Sequence, residues 1–190
     1  MKNFKTIAIA LLVAFSATAV TAQTKKVDVS KSKINWVGKK VTGQHEGTVN
    51  LKDGALVFEG KKLKGGTFTV DMNSISATDL KADQGKDKLD GHLKADDFFG
   101  VAKYPTSKLV FKTIAAGKTA GTYTVTADLT IKDKTNPVTF DITVKGNTAT
   151  TSFSVDRTKY DIKYGSGSFF DGLGDKTIND NFDLTVSLQF

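Results

Sequence analysis

Apolar and polar residues alternate one for one along much of this chain. Tyr123, Val125, Ala127, Leu129 and Ile131 are interleaved with Thr124, Thr126, Asp128 and Thr130. Val138, Phe140, Ile142 and Val144 alternate with Thr139, Asp141, Thr143 and Lys145, and Phe182, Leu184, Val186, Leu188 and Phe190 with Asp183, Thr185, Ser187 and Gln189. Phe68, Val70 and Met72 repeat the pattern, as do Phe153 and Val155. A period of two sends successive side chains to opposite faces of a strand, and Thr, Val, Phe and Tyr suit strands. With Lys33–Thr42, Glu46–Phe58 and Ser107–Ile114 the pattern predicts about eight strands. Glu59-Gly60-Lys61-Lys62, Gly117-Lys118 and Lys145-Gly146-Asn147 read as hairpin turns, and Asp53-Gly54 as either a turn or a bulge.

Strands with one apolar and one polar face belong in antiparallel sheets. Their apolar faces meet either between two packed sheets or inside one rolled sheet. Runs of roughly ten residues are long for globular strands and favour the second: an all-β, elongated antiparallel barrel. One helix is predicted over Lys86–Asp96, where Leu89 and Leu93 lie one turn apart with His92 beside them, and Gly91 weakens it by up to about 1 kcal/mol. It is placed across one barrel end with Leu89, Leu93, Phe98 and Phe99 pointing inward. By strand parity Phe68, Val70, Met72, Tyr123, Val125, Phe140, Ile142 and Phe153 line the lumen, and Trp36 plugs one end. Ala127 and Gly66 leave interior volume unfilled. A barrel of about eight strands either fills with its own side chains or holds one small ligand, and both readings are open.

Lys2 and Lys5, the uncharged Ile7–Val20 run and the small residues Val20-Thr21-Ala22 form a secretory leader pattern. The expectation is a signal peptide over residues 1–22, cut after Ala22, and a barrel domain over 23–190 that is periplasmic or secreted. The apolar run, about 15 residues, is short of the roughly 20 a spanning helix needs. The absence of cysteine removes disulfides, thiolate nucleophiles and Cys-ligated metals. The net charge of +7 comes almost wholly from scattered lysines, with Arg157 the only arginine. That is a solvated surface rather than a nucleic-acid footprint.

Candidate chemistry is sparse. There is no G-x-S-x-G elbow, and the Gly-rich stretch 165–175 lacks the strand–loop–helix context of a phosphate cradle; it reads as a loop at a barrel mouth. Asp171, Asp175, Asn179, Asp180 and Asp183 do not have EF-hand spacing. His92, Asp96 and Asp97 cluster after the helix. With His45 they supply a rim metal site of His92, His45 and Asp96, or else they cap turns and organise the rim. Arg157 either holds an anionic head group in its fork or bridges a carboxylate such as Asp156 or Asp161. No catalytic residue, metal or cofactor is assigned.

Several blocks carry a resemblance: Ile34–Val49, Gly65–Ile75, Leu89-DGHLKADDFFGVAKYP-Pro105, Asp128-LTIKDKTNPVTFDI-Ile142, Ser154–Tyr164 and Thr177–Phe190. Together they make the chain similar to the YceI-like family, exported bacterial proteins with a lipocalin-like barrel that bind polyisoprenoids and other long-chain amphiphiles. Many members carry a His-centred motif near the first strand pair. This chain has Asn35-Trp36-Val37-Gly38 there and places His45 later, so no head-group contact is carried over. The resemblance implies non-catalytic binding, carriage or storage of a long-chain lipid in the periplasm, with His45, His92 and Arg157 at the rim. The rival readings are a metal-dependent hydrolase at that rim and a structural or stress-response barrel with a filled core. A homodimer is left open.

Overall fold

The computed structural model describes residues 21–190. The leader up to Val20 lies outside them, and the expected cut after Ala22 falls at the first residue of the first strand. In chain order the elements are β1 (Ala22–Lys26), β2 (Lys33–Lys40), β3 (Gly43–Glu59), β4 (Lys62–Ala77), α1 (Lys86–Lys94), β5 (Thr106–Ala116), β6 (Thr122–Ile131), β7 (Lys134–Lys145), β8 (Thr148–Asp156) and β9 (Ile178–Gln189). Eight strands close an antiparallel ring in the order β3-β2-β9-β8-β7-β6-β5-β4, with β4 returning to β3. The added strand, β1, runs along the edge of β3 that β2 leaves free, pairing Ala22–Lys26 with Ala55–Glu59. The barrel is as the alternation predicted, and among the described residues α1 is the one α-helix, where the Leu89/Leu93 spacing placed it.

The closing strands are also the longest, and they bend. The β3–β4 register shifts at three places, one between Leu51 and Asp53, so Asp53-Gly54 belongs to a bulged strand and not to a turn. Bulges bend and twist a strand locally, which a rolled sheet needs. Gly60 and Gly146 take left-handed φ values of 59° and 61° in the predicted hairpins. A further turn escaped the pattern: Lys132 and Asp133, at φ 49° and 58°, make a two-residue hairpin without glycine. Pro137 masked the start of β7. It lies opposite Asp128 of β6 where β7 has no β8 partner, the edge-like position that proline tolerates.

Pairing is incomplete at the helix end. β7 and β8 pair only through Ile142–Lys145 and Thr148–Thr151, and β4 and β5 only through Thr67–Asp71 and Thr106–Val110. Each seam is wedged open and filled. Between β4 and β5 lie α1 and the loop after it. Asp90 of α1 accepts from the Ala77 amide at 2.7 Å and from Ser76 Oγ at 2.8 Å, and pairs with Lys86 at 2.5 Å. Between β7 and β8 lies a 3-10 turn, Arg157–Tyr160, followed by Ile162. Tyr160 and Ile162 are buried, and Asn136 Nδ2 of β7 donates to the Lys159 carbonyl at 3.0 Å.

Two glycines separate packing from propensity. A Cβ on Gly91 in α1 would meet nothing within 4 Å, whereas one on Gly47 would lie 2.0 Å from the Ser76 carbonyl oxygen and 2.5 Å from the Trp36 ring. Gly91→Ala is therefore expected to raise unfolding free energy by up to about 1 kcal/mol. Gly47→Ala is expected to lower it by roughly 1–3 kcal/mol through overpacking. Urea denaturation of both variants beside the parent protein checks the opposite signs.

Candidate ligand cavity

The ring encloses an apolar cavity of about 160 Å³ that extends along the barrel from the helix end. Its wall is built by the inward positions of every ring strand. Four phenylalanines of the wall touch in sequence: Phe68 and Phe111 lie 5.6 Å apart between ring centres, Phe111 and Phe140 5.9 Å, and Phe140 and Phe153 4.6 Å, the last pair stacked. This chain of rings crosses from β4 to β8. Leu56, Phe58, Leu63 and Val125 are buried and do not line the cavity; they pack the far end solid.

The opening is at the helix end. There the wall includes Gly38, Ile178, Asn179 and Asn181, and both asparagines are exposed. Leu93, Phe98 and Phe99 from α1 and its following loop fold over the same end and line the cavity. Phe99 meets Phe182 of β9 edge-on at 6.3 Å.

Arg157 is the one charged side chain of the wall. It is 2 % exposed, and its N–H groups are committed. Nε donates to the Asn179 carbonyl at 3.0 Å, Nη1 to Ile162 at 2.8 Å and Nη2 to Ile178 at 3.0 Å. Phe98 lies against the guanidinium at 5.8 Å, and Asp180 Oδ1 stands 3.7 Å from Nη2. Burial disfavours the Asp180 carboxylate, but hydrogen bonds from Ser166 and Ser168 and the charge of Arg157 outweigh it and hold its pKa below the usual value. Of the two sequence readings of Arg157 the bridge fits the geometry, with Asp180 as partner in place of Asp156 or Asp161.

Of the residues predicted to line the lumen, Trp36, Phe68, Val70, Met72, Leu93, Phe98, Phe99, Phe140, Ile142 and Phe153 stand in the cavity wall. Leu89, Tyr123 and Val125 do not. Leu89 packs half-buried on the outer side of the core. Tyr123 reaches the far hairpin, where its hydroxyl takes the Leu63 amide and donates to the Lys61 carbonyl, both at 3.3 Å. Trp36 is no plug: it lies in mid-β2, opposite Gly47 and Leu184, and its Nε1 donates to the Thr48 carbonyl at 3.3 Å. Gly66 and Ala127 leave no free volume. A Cβ on Gly66 would meet the Phe111 ring at 2.7 Å, so the missing side chain makes room for that ring. Sequence parity had already exposed Phe182, Leu184, Val186 and Leu188 of β9, which line the cavity and were left out of the site.

The rim residues do not converge. His45 Nδ1 is 2.8 Å from Asp79 Oδ2, Asp96 pairs with Lys103 at 2.6 Å, and the His92 ring packs between Phe98 (5.6 Å) and Tyr164 (4.5 Å). Among the described residues no three His, Asp or Glu side chains gather around a common point. The metal-hydrolase arrangement of His92, His45 and Asp96 is therefore not formed: each of the three is held by a different neighbour.

A family model described as YceI-like domain matches residues 26–190. A UPF0312 protein of Shewanella denitrificans is 36% identical over 92 residues, covering 48% of this chain and 45% of that protein. The chain spans about half the length of the curated relatives it matches. Among solved structures, Burkholderia cenocepacia BcnA superposes with a TM-score of 0.67 at 25% identity, over 85% of this chain and 98% of that one. A polyisoprenoid binding domain from Saccharophagus degradans gives 0.57 at 14% identity, over 86% and 95%. That identity shows the fold alone.

Tyr160 in the β7–β8 seam is 1 % exposed, and its hydroxyl has no hydrogen-bond partner among the described residues. Burial, with Asp156 adding, pushes the phenol up to about 12. The folded pKa lies above the unfolded value of about 10. The proton thus supports the fold fully below about pH 10, and that support is lost as pH rises toward about 12. Tyr160→Phe is expected to be neutral or stabilising by about 1 kcal/mol at pH 7 and to remove this alkaline loss. Denaturation curves at neutral and alkaline pH read both effects.

Proposed function

Because the chain belongs to the YceI-like family, we propose that its barrel holds the apolar tail of a long-chain amphiphile, a polyisoprenoid being the leading candidate. One observation carries this: a cavity walled by aliphatic and aromatic side chains, whose one charged group is tied to backbone carbonyls. The polyisoprenoid binding domain of Saccharophagus degradans has the same fold, which supports the choice of ligand class.

Burial of the tail drives binding, at about 25 cal/mol per Å² of apolar surface. An engineered cavity of about 150 Å³ accepts benzene, so a tail longer than that enters the 160 Å³ cavity by turning lining side chains aside. Leu184 and Val186 of β9 are half-buried members of that lining. The reading is one of carriage or storage without catalysis. It is supported by the wall chemistry and by the separate engagement of His45, His92 and Asp96. It also places the barrel outside the cytoplasm, on the strength of the leader pattern in residues 1–22.

Organic extraction of the purified protein is expected to release a long-chain lipid, identified by mass spectrometry. Delipidated protein is expected to melt higher with a detergent-solubilised C20 isoprenoid alcohol, since a ligand of the native state stabilises it by mass action. Leu184→Trp, which fills the lumen, is expected to fold and to lose most of that shift. No extractable lipid together with no shift would defeat the proposal.

A further inference from the structure

The apolar surface that the fold leaves uncovered is concentrated around the mouth. Six large hydrophobic side chains are exposed among the described residues, and four stand at this end: Val41 at 64 %, Tyr164 at 48 %, Phe169 at 49 % and Phe170 at 51 %. The three aromatic ones share the β8–β9 connection. Val41 sits at the tip of the β2–β3 hairpin, and its amide donates to the Thr177 carbonyl at 3.2 Å. Hairpin and loop therefore form one rim beside Gly38, Asn179 and Asn181, where the cavity opens.

The exposed pair is presented by a built turn. Phe169 and Phe170 amides both donate to the carbonyl of Ser166, at 3.2 and 3.0 Å, and Ser166 is fully buried. Ile178 in turn donates to the Gly165 carbonyl at 2.8 Å. Lys163 Nζ lies 5.0 Å from the Phe169 ring, and Lys40 precedes Val41. Aromatic rings flanked by lysines suit the boundary between lipid head groups and acyl chains, where rings bury and ammonium groups stay in water. Charge around the rim is close to balanced, since Asp161 pairs with Lys163 at 3.0 Å and Asp171 and Asp175 are exposed on the same loop.

We propose that this rim docks the barrel onto a lipid bilayer, with Phe169 and Phe170 inserted at the interface and the cavity mouth facing the membrane. A bilayer is favoured over a protein partner by position: the exposed apolar residues stand beside the exposed Asn179 and Asn181 of the wall of an apolar cavity, and a tail that leaves there moves into an apolar phase without crossing water. This step rests on the cargo reading above and adds the route. Near-balanced charge assigns the binding to the rings, with little dependence on anionic lipid or salt.

The test is flotation of the full barrel with vesicles of phosphatidylcholine alone and of phosphatidylcholine mixed with phosphatidylglycerol. The parent protein is expected to float with both, and 0.5 M salt to change its partition by less than about threefold. Phe169→Ser/Phe170→Ser is expected to lower partition by at least about tenfold while keeping the parent's thermal shift with the solubilised isoprenoid alcohol. A parent protein that stays unbound, a double variant that floats as well as the parent, or attachment that vanishes in salt would overturn the docking surface. Loss of the thermal shift in both proteins would count against the cargo reading alone, because flotation is scored without it.

Discussion

A sheet rolled into a ring has no edges only where every strand is paired, and this ring is unpaired along two seams at one end. Unpaired strand edges leave N–H and C=O groups that need partners. At the β4–β5 seam the partner is Asp90 of α1, whose carboxylate takes the Ala77 amide. At the β7–β8 seam the 3-10 turn is the filler, its Lys159 carbonyl taking Asn136 Nδ2 of β7, while Arg157 of the same turn serves the adjoining edge by donating to β9 carbonyls just beyond the last β8–β9 pair, Asp156 with Asn181. The fillers cover the seams and also shape the mouth, since Phe98 and Phe99 follow α1 and the exposed loop follows the turn. The polar repair of an incomplete barrel and the gateway to its interior are made by the same segments.

The opposite end is governed by volume. Protein interiors are close-packed, and here Leu56, Phe58, Leu63 and Val125 are buried without free space beside them, while the cavity continues past Phe140 and Phe153 to Ile34, Ile142, Val186 and Leu188. Gly66 and Ala127 side with the packed residues in effect, because large rings use the room their small side chains leave. A small residue on an inward position thus reports where a neighbour is large as readily as where a cavity is. On the β9 side the wall is made by the aliphatic Leu184, Val186 and Leu188, with Leu184 between Trp36 and Phe153 of the neighbouring strands.

The sequence pattern made the architecture legible, since sidedness and strand length both follow from period-two alternation. Its failures have local causes. The Lys132–Asp133 turn uses left-handed residues that carry no glycine signal, and Pro137 looks like a strand breaker until β7 is seen to lack a neighbour there. Most of the wall was readable from parity, but parity gives the face and not where each side chain reaches: Tyr123 and Val125 stand opposite the wall residues Ile142 and Phe140 without lining the cavity, and the Tyr123 hydroxyl is held at the far hairpin. Leu89 shared a helical face with Leu93 yet sits a turn too far out. His45 is held by Asp79, His92 by Tyr164 as well as the nearby Phe98, and Arg157 by the β9 carbonyls of Ile178 and Asn179 as well as that of Ile162; the distant members of each set are invisible to spacing.

The commitment of Arg157 also bears on what the barrel can discriminate. A guanidinium with three carbonyl partners, an aromatic face against it and a carboxylate 3.7 Å away has little left to offer an anionic head group. Pulling it away would leave carbonyls unsatisfied in the seam, each at a cost of about 1–3 kcal/mol. On the cargo reading proposed above, recognition then falls to the tail. Each buried methylene contributes about 0.8 kcal/mol, so on that reading affinity would rise with chain length while the cavity has room. Past that point displacement of packed side chains would oppose further gain. A barrel of this build would then discriminate the length of an apolar chain more than the charge of the group left in the water at its mouth.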